Sequence, residues 1–398
     1  MSHQHHEHEI EVRTRSWYLR MVSRDTREEH RAATPLELFF DLCFVVAVAL
    51  AAENLHQDVS SGDVGDGVLG YALVFFAIWW AWMNFTWFAS AYDTDDGVYR
   101  ITTFVQMAGV LVLAAGVPRA FESTNLDLVT SGYVIMRLAM VAQWLRAAGT
   151  DPRSRPAALR FAIGIAALQV LWVGRLFLSG DLLNLSVLPL IAGELAVPAW
   201  AERAARTTWH PHHIAERYGL FTIIVLGESI LASTTAFQTA ADADFGDANL
   251  IGLAVCALVI VFSMWWLYFD HAEHPDEGSP VSAIGWGYGH LFVFAAAAAV
   301  GAGIAVEVDY KTGDTDLGTI TVALATAMPV ALYLVAVWAI HVLPNRTGLM
   351  VLAFPVCAAL ALASSLIPWS FVWLAVLLAA LVALMIVDSS RRTPETLA

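Results

Sequence analysis

Apolar runs of about 20 residues, the length that spans the hydrocarbon of a bilayer, recur from Leu36 almost to the C-terminus. A segment in lipid has no water to satisfy its backbone, so each run is expected to be a helix. We read about twelve spans, near 36–55, 68–91, 101–118, 128–148, 157–178, 182–200, 215–237, 249–270, 283–306, 317–342, 347–366 and 369–387. Pro189 and Pro198 interrupt the sixth, and only a short turn at Ile367-Pro368 separates the last two. Composition agrees: 58% of residues are hydrophobic and 14% charged, against about 25% charged in a soluble domain. The expected fold is an all-α integral membrane protein. The polar N-terminal 30 residues hold no apolar core resembling a cleaved signal, so the first span is expected to act as an uncleaved one.

Arginines set the expected orientation. Arg13, Arg15, Arg20, Arg24, Arg27 and Arg31 precede the first span, Arg146, Arg153, Arg155 and Arg160 follow the fourth, and Arg203, Arg206 and Arg217 follow the sixth. With Arg346, Arg391 and Arg392 they share one side, which the positive-inside rule makes cytoplasmic, and both termini with it. The opposite loops carry Asp58, Asp63, Asp66, Asp242, Asp244, Asp247, Asp309, Asp314 and Asp316, with Arg119 and Lys311 as exceptions. A net charge of −15 argues against nucleic acid as a partner and is compatible with attraction of cations. Genomic base composition or a salty habitat explains the same bias more simply. The expected partners are the lipid bilayer and an unidentified small solute or cation, and a homo-oligomer is compatible with the sequence.

Features also recur in order. An acidic helix (Glu37, Asp41), a Trp79-Trp80-Ala81-Trp82 tract, acids at Asp93, Asp95 and Asp96 and a helix opened by Arg100 make up the first series. Glu216 and Glu228, Trp265-Trp266, Asp270-His271-Ala272-Glu273-His274 and a helix containing His290 make up the second. Two parallel six-helix repeats follow, related by an axis along the membrane normal: 34–200 and 201–388, between tails 1–33 and 389–398. The competing explanation of the tryptophans is an aromatic belt at the membrane surface.

Charges at membrane depth carry whatever chemistry there is, because each costs roughly 2.5–3.5 kcal/mol to insert. Thr34, Pro35 and Glu37 read as N-cap, first helical residue and capping-box partner, and Asp41 lies one turn deeper on the same face. Glu228, in Gly227-Glu228-Ser229, falls near mid-depth and suits a proton carrier or a static pair. Gly227 is expected to admit a close neighbour. Arg137 in the fourth span is the expected partner, shared among Asp41, Glu194 and Glu228; His290 is a further proton-relay candidate. Asp270, His271 and His274 offer metal-ligand chemistry at helical spacing, together with His210, His212 or His213. Asp93-Thr94-Asp95-Asp96-Gly97 fails as a calcium loop, since Phe104 stands where a bidentate Glu belongs. Cys43, Cys256 and Cys357 read as core residues, the His-rich tract at His3–His8 as a solvated tail, and Arg15 to Arg31 as a helix along the cytoplasmic surface. No Ser-His-Asp order or phosphate-cradling loop points to catalysis, and no cofactor is implied.

Pro35-Leu36-Glu37-Leu38-Phe39-Phe40-Asp41-Leu42, with Glu216-Arg217-Tyr218-Gly219-Leu220-Phe221 continuing to Gly227-Glu228-Ser229, resembles the bacterial low-temperature-requirement A (LtrA) family. Tyr92-Asp93-Thr94-Asp95-Asp96 before Arg100 resembles it too, and the likeness covers nearly the whole chain from Thr34. It implies a multi-pass inner-membrane protein named for a growth phenotype in the cold, with no settled substrate. The opening helix is also similar to that of a potassium-channel family of paired six-helix repeats, but Phe40 replaces the Ser of its Phe-Ser-Asp triplet. Two functions are therefore expected as alternatives. One is a proton- or cation-linked transporter or permeation protein; the other is a membrane-embedded enzyme or lipid-handling protein acting at the cytoplasmic His/Asp clusters.

Overall fold

The computed structural model describes residues 17–24, 32–123, 125–242, 247–270 and 280–392, and these residues form helices with no strand among them. In the first half α1 (Pro35–Ser61), α2 (Val64–Tyr92), α3 (Gly97–Ser123), α4 (Asp127–Thr150) and α5 (Arg155–Arg175) lead to a short α6 (Asp181–Leu185) and α7 (Val187–Glu202). In the second, α8 (Pro211–Asp242), α9 (Asp247–Phe269), α10 (Pro280–Thr312) and α11 (Thr319–Val337) precede a π-turn (Trp338–Val342), α12 (Leu343–Asn345), α13 (Leu349–Ser364) and α14 (Ser370–Arg392). Among the described residues 11 helical stretches are long and apolar enough to cross a membrane, and Leu349–Ser364 is a shorter apolar helix. The chain is a multi-pass membrane protein.

Local chemistry fixes the element ends. The Thr34 amide donates to Glu37 Oε2 at 2.8 Å and the Glu37 amide to Thr34 Oγ1 at 3.3 Å, completing the expected capping box. Gly62 ends α1 at φ 97°, the left-handed region a glycine enters without a Cβ penalty. The sixth expected span is split between α6 and α7: Pro189 falls in the first turn of α7, where its missing N–H is harmless, and Pro198 lies inside the helix. Residues 17–24 depart from the expected surface helix. They form a non-helical strap held by Arg24 N–H to the Ala91 carbonyl and Val98 N–H to the Trp17 carbonyl.

α10 and α2 are the most enclosed spans, with 83% and 67% of their apolar windows buried, so they form the centre of the bundle. α1 packs on α2, α3, α8 and α10, which puts the N-terminal turns of α1 and α8 in mutual contact. Outward leucines and valines, such as Val170, Leu171 and Leu188, remain exposed on the periphery, as a lipid-facing surface requires.

Candidate functional site

Where α1 meets α8, four ionisable side chains converge with no solvent exposure: Glu37 and Asp41 from α1, His213 and Arg217 from α8. Each pair is spaced one helical turn, so each presents its two groups on a single face. The Arg217 guanidinium forks across both acids. Its Nε donates to Asp41 Oδ2 at 3.1 Å, its Nη2 to Asp41 Oδ1, and its Nη1 lies 3.1 Å from Glu37 Oε1. His213 Nε2 stands 3.2 Å from the same Glu37 oxygen, and Trp82 of α2 donates its indole N–H to Asp41 Oδ1 at 2.7 Å. Glu216 accepts the Ala33 amide at 3.2 Å, fastening the entry of α1 to α8.

The charge count of this quartet decides what it can do. Within these four side chains two carboxylates face one guanidinium, and a proton on His213 or on a carboxylate would balance them. An uncompensated charge in so dry a place is costly.

A second pair lies deeper, at mid-length of α4. Arg137 Nη2 donates to Glu194 Oε2 at 2.8 Å; the carboxylate also accepts from Trp80 Nε1 at 3.0 Å and from Gln169 Nε2 at 3.1 Å. The Tyr133 ring covers the guanidinium at 5.7 Å. This pair is neutral as built and joins α2, α4, α5 and α7 within the first half.

The expectation of one arginine shared by Asp41, Glu194 and Glu228 is thus corrected. Arg137 serves Glu194 alone among those three, while Asp41 is held by Arg217, because α8 and not α4 packs beside the start of α1. Glu228 is half-buried and has no hydrogen bond or ion pair among the described residues, and a Cβ at Gly227 would meet nothing within 4 Å, so this stretch faces outward. Ser229 faces inward, donating to the Ala297 carbonyl at 2.8 Å. His290 is buried between the Trp286 carbonyl, 2.8 Å from Nδ1, and Tyr268 Oη, 3.0 Å from Nε2, with the His341 ring of the π-turn 5.4 Å away. Trp79, Trp80 and Trp82 are at most 1% exposed, so these three are buried packing, with Trp80 and Trp82 as donors, whereas Trp265 and Trp266 are 45% and 42% exposed, as an aromatic belt requires.

The acidic tract after α2 acts as a clasp. Asp96 accepts from Arg146 of α4 and from the Tyr99 and Leu19 amides, Asp95 binds Arg100 at 2.7 and 3.1 Å, and Asp93 meets Arg24 at 3.5 Å. Burial opposes the charge on Asp96, but the Arg146 hydrogen bond and the two amides outweigh it and hold the carboxyl below its ordinary range. Of the tentative metal ligands, His271 and His274 lie outside the described residues. Asp270 follows α9, and no group of three metal-binding side chains occurs among the described residues.

From the sequence His213 is read only as a further metal ligand beside Asp270, and Trp82 only as part of a tryptophan tract; neither is placed with the acids of α1. A signal for His213 was available: Pro35-x-Glu37-x-x-x-Asp41 and Pro211-x-His213-x-x-x-Arg217 are one pattern with the charges inverted, the facing residues 176 positions apart. Comparison with known proteins agrees with the motif resemblance. The model of the family described as bacterial low temperature requirement A protein (LtrA) matches residues 32–387. The chain belongs to the LtrA family. A relative from Rhizobium meliloti (strain 1021), named Uncharacterized protein RA0937, is 28% identical over 262 residues, 63% of this chain and 61% of the relative. The chain thus covers less than two thirds of that relative's length. No solved structure matches. The family match begins just before the capping box and ends within α14, so the quartet and the Arg137–Glu194 pair both fall inside it.

Proposed function

We propose that this LtrA-family protein is a proton- or cation-linked secondary transporter of the cytoplasmic membrane, with both termini cytoplasmic. The observation that carries the reading is the quartet: two acids on α1 and two bases on α8, buried together with no solvent exposure. In this reading the quartet takes up a proton on His213 or on a carboxylate, and exchange of that proton for a monovalent cation leaves the charge of the cluster unchanged, which is what coupling of two fluxes needs. Under the proposed orientation the quartet lies one to two turns in from the cytoplasmic end, where a solute entering from the cytoplasm meets it.

The packing order supports two parallel halves. α1 packs on α2 and α3, α3 on α4, α4 on α5 and α5 on α7; likewise α8 packs on α9 and α10, α10 on α11, α11 on α13 and α13 on α14. In this reading the Arg137–Glu194 pair keeps the first half rigid while the quartet joins it to the second. Alternating access by rocking of one half against the other would act on that junction.

Purified protein in liposomes with an imposed pH gradient tests the proposal, with alkali cations, ammonium, small amines and organic acids offered in turn. Wild type is expected to move one of these classes in a gradient-dependent way, and Asp41→Asn is expected to lose that dependence. Absence of flux for all of them with correctly folded wild type would overturn the transport reading.

A further inference from the structure

At the end of the bundle opposite the quartet, α9, α10, α11 and the turn between α13 and α14 line an open pocket of about 850 Å³. That volume falls in the range of small-molecule sites, roughly 300–1,000 Å³. Its walls are mostly apolar, with the rings of Tyr310, Trp369 and Phe371 among them. One acid stands in it: Glu307, 5% exposed, whose Oε1 lies 3.5 Å from the ammonium of Lys311 one turn on.

These features specify a ligand. A buried carboxylate suits a positive group, and aromatic faces attract cations while covering an apolar body. The protein's own ammonium already occupies the acid. Lys311 is nonetheless 44% exposed, and an ion pair so open to water is weak, so the lysine can swing into solvent and yield its place. Asp314 and Asp316 at the same end draw cations toward the opening, whereas Asp309 is taken up by His56, whose Nε2 lies 2.7 Å from its carboxylate.

We propose that this cavity is a binding site for an organic monocation, an alkyl- or arylammonium group, with Glu307 as its counter-ion and Lys311 as a tethered competitor. Such a group is found both on free amines and on ethanolamine or choline lipid headgroups. The proposal concerns binding, and its test uses no flux, so it stands or falls separately from the transport reading.

Calorimetric titration of benzyltrimethylammonium into the full chain in nanodiscs tests it, with benzyl alcohol as the neutral control. Wild type should bind the cation and not the alcohol. Glu307→Gln should weaken binding by about tenfold or more, the effect of removing one member of a buried charge pair. Lys311→Met should tighten it by about threefold or more, since the competing ammonium is gone and the competent state is always populated. Nanodiscs of phosphatidylglycerol alone and with added phosphatidylethanolamine separate the sources: weaker probe binding in the mixed discs assigns the site to a lipid headgroup, equal binding to a soluble amine. No binding by wild type, equal affinity in Glu307→Gln, or weaker binding in Lys311→Met would each overturn the proposal. The lysine variant is expected to fold whatever the fate of the glutamine one, because it removes only a half-exposed side chain.

Discussion

Arg217 answers to two acids at once, and its planar fork explains why no other cation would do. Lysine offers a single point charge and cannot reproduce the parallel contacts to Asp41 while also reaching Glu37. Arg217→Gln leaves two buried carboxylates facing only a histidine, and the expected loss is about 3–5 kcal/mol of stability, the cost of orphaning a buried charge. Thermal unfolding in detergent measures it, and the double variant Asp41→Asn with Arg217→Gln should recover part of the loss. Asp96 gives a pH-dependent counterpart outside the membrane. Its carboxyl is held below the ordinary range, so its contribution is present above the unfolded value of about 3.9 and fades as pH falls through the lower folded value. Asp96→Asn should therefore destabilise the protein by about 1–3 kcal/mol at neutral pH. It should make little difference at strongly acidic pH, where the wild-type acid is protonated too. Unfolding temperatures compared at the two pH values check both halves of that statement.

Elements were largely legible from the sequence because membrane helices announce themselves by length and their ends by capping chemistry. Thr34, Pro35 and Glu37 placed the start of α1 to the residue, and the twelve expected spans reappear as α1 to α14 with α6–α7 and α11–α12 merged. The π-turn at Trp338–Val342 was not legible, since a register slip of one residue leaves no compositional mark. Nor was the closeness of the crossings. A Cβ added at Gly132 would lie 2.3 Å from the Leu113 amide nitrogen, and one at Gly303 2.3 Å from the Ala325 carbonyl oxygen, so backbone touches backbone where α4 meets α3 and α10 meets α11. Backbone cannot move aside as a flexible side chain can. Gly132→Ala and Gly303→Ala are each expected to cost about 1–3 kcal/mol or more, whereas Gly227→Ala, with open space around it, should be near neutral. Comparative thermal unfolding of the three variants decides this.

At the scale of the whole molecule, sequence showed which side chains were anomalous but not which of them meet. Glu37, Asp41, Arg137 and Glu194 were all recognisable as charges too deep to be incidental. Their partners depended on helix packing, and Asp41 and Arg217 stand 176 positions apart. Glu228 looked the most promising by depth, yet depth along a helix does not tell which face a residue occupies, and this one turns outward. Glu228→Gln is accordingly expected to leave stability within about 0.5 kcal/mol of wild type, and pH-driven flux unaltered. Glu37→Gln separates the proposed coupling from the fold. Glutamine preserves the capping box, since its side-chain oxygen still accepts the Thr34 amide, so α1 should start as before. The substitution also leaves Asp41 and Arg217 as a balanced pair, and the cluster no longer needs a proton for neutrality. The expected phenotype is a folded protein that exchanges solute across liposomes in counterflow but no longer accumulates it in response to a pH gradient. Retention of pH-driven accumulation by Glu37→Gln would show that the proton is carried elsewhere in the molecule.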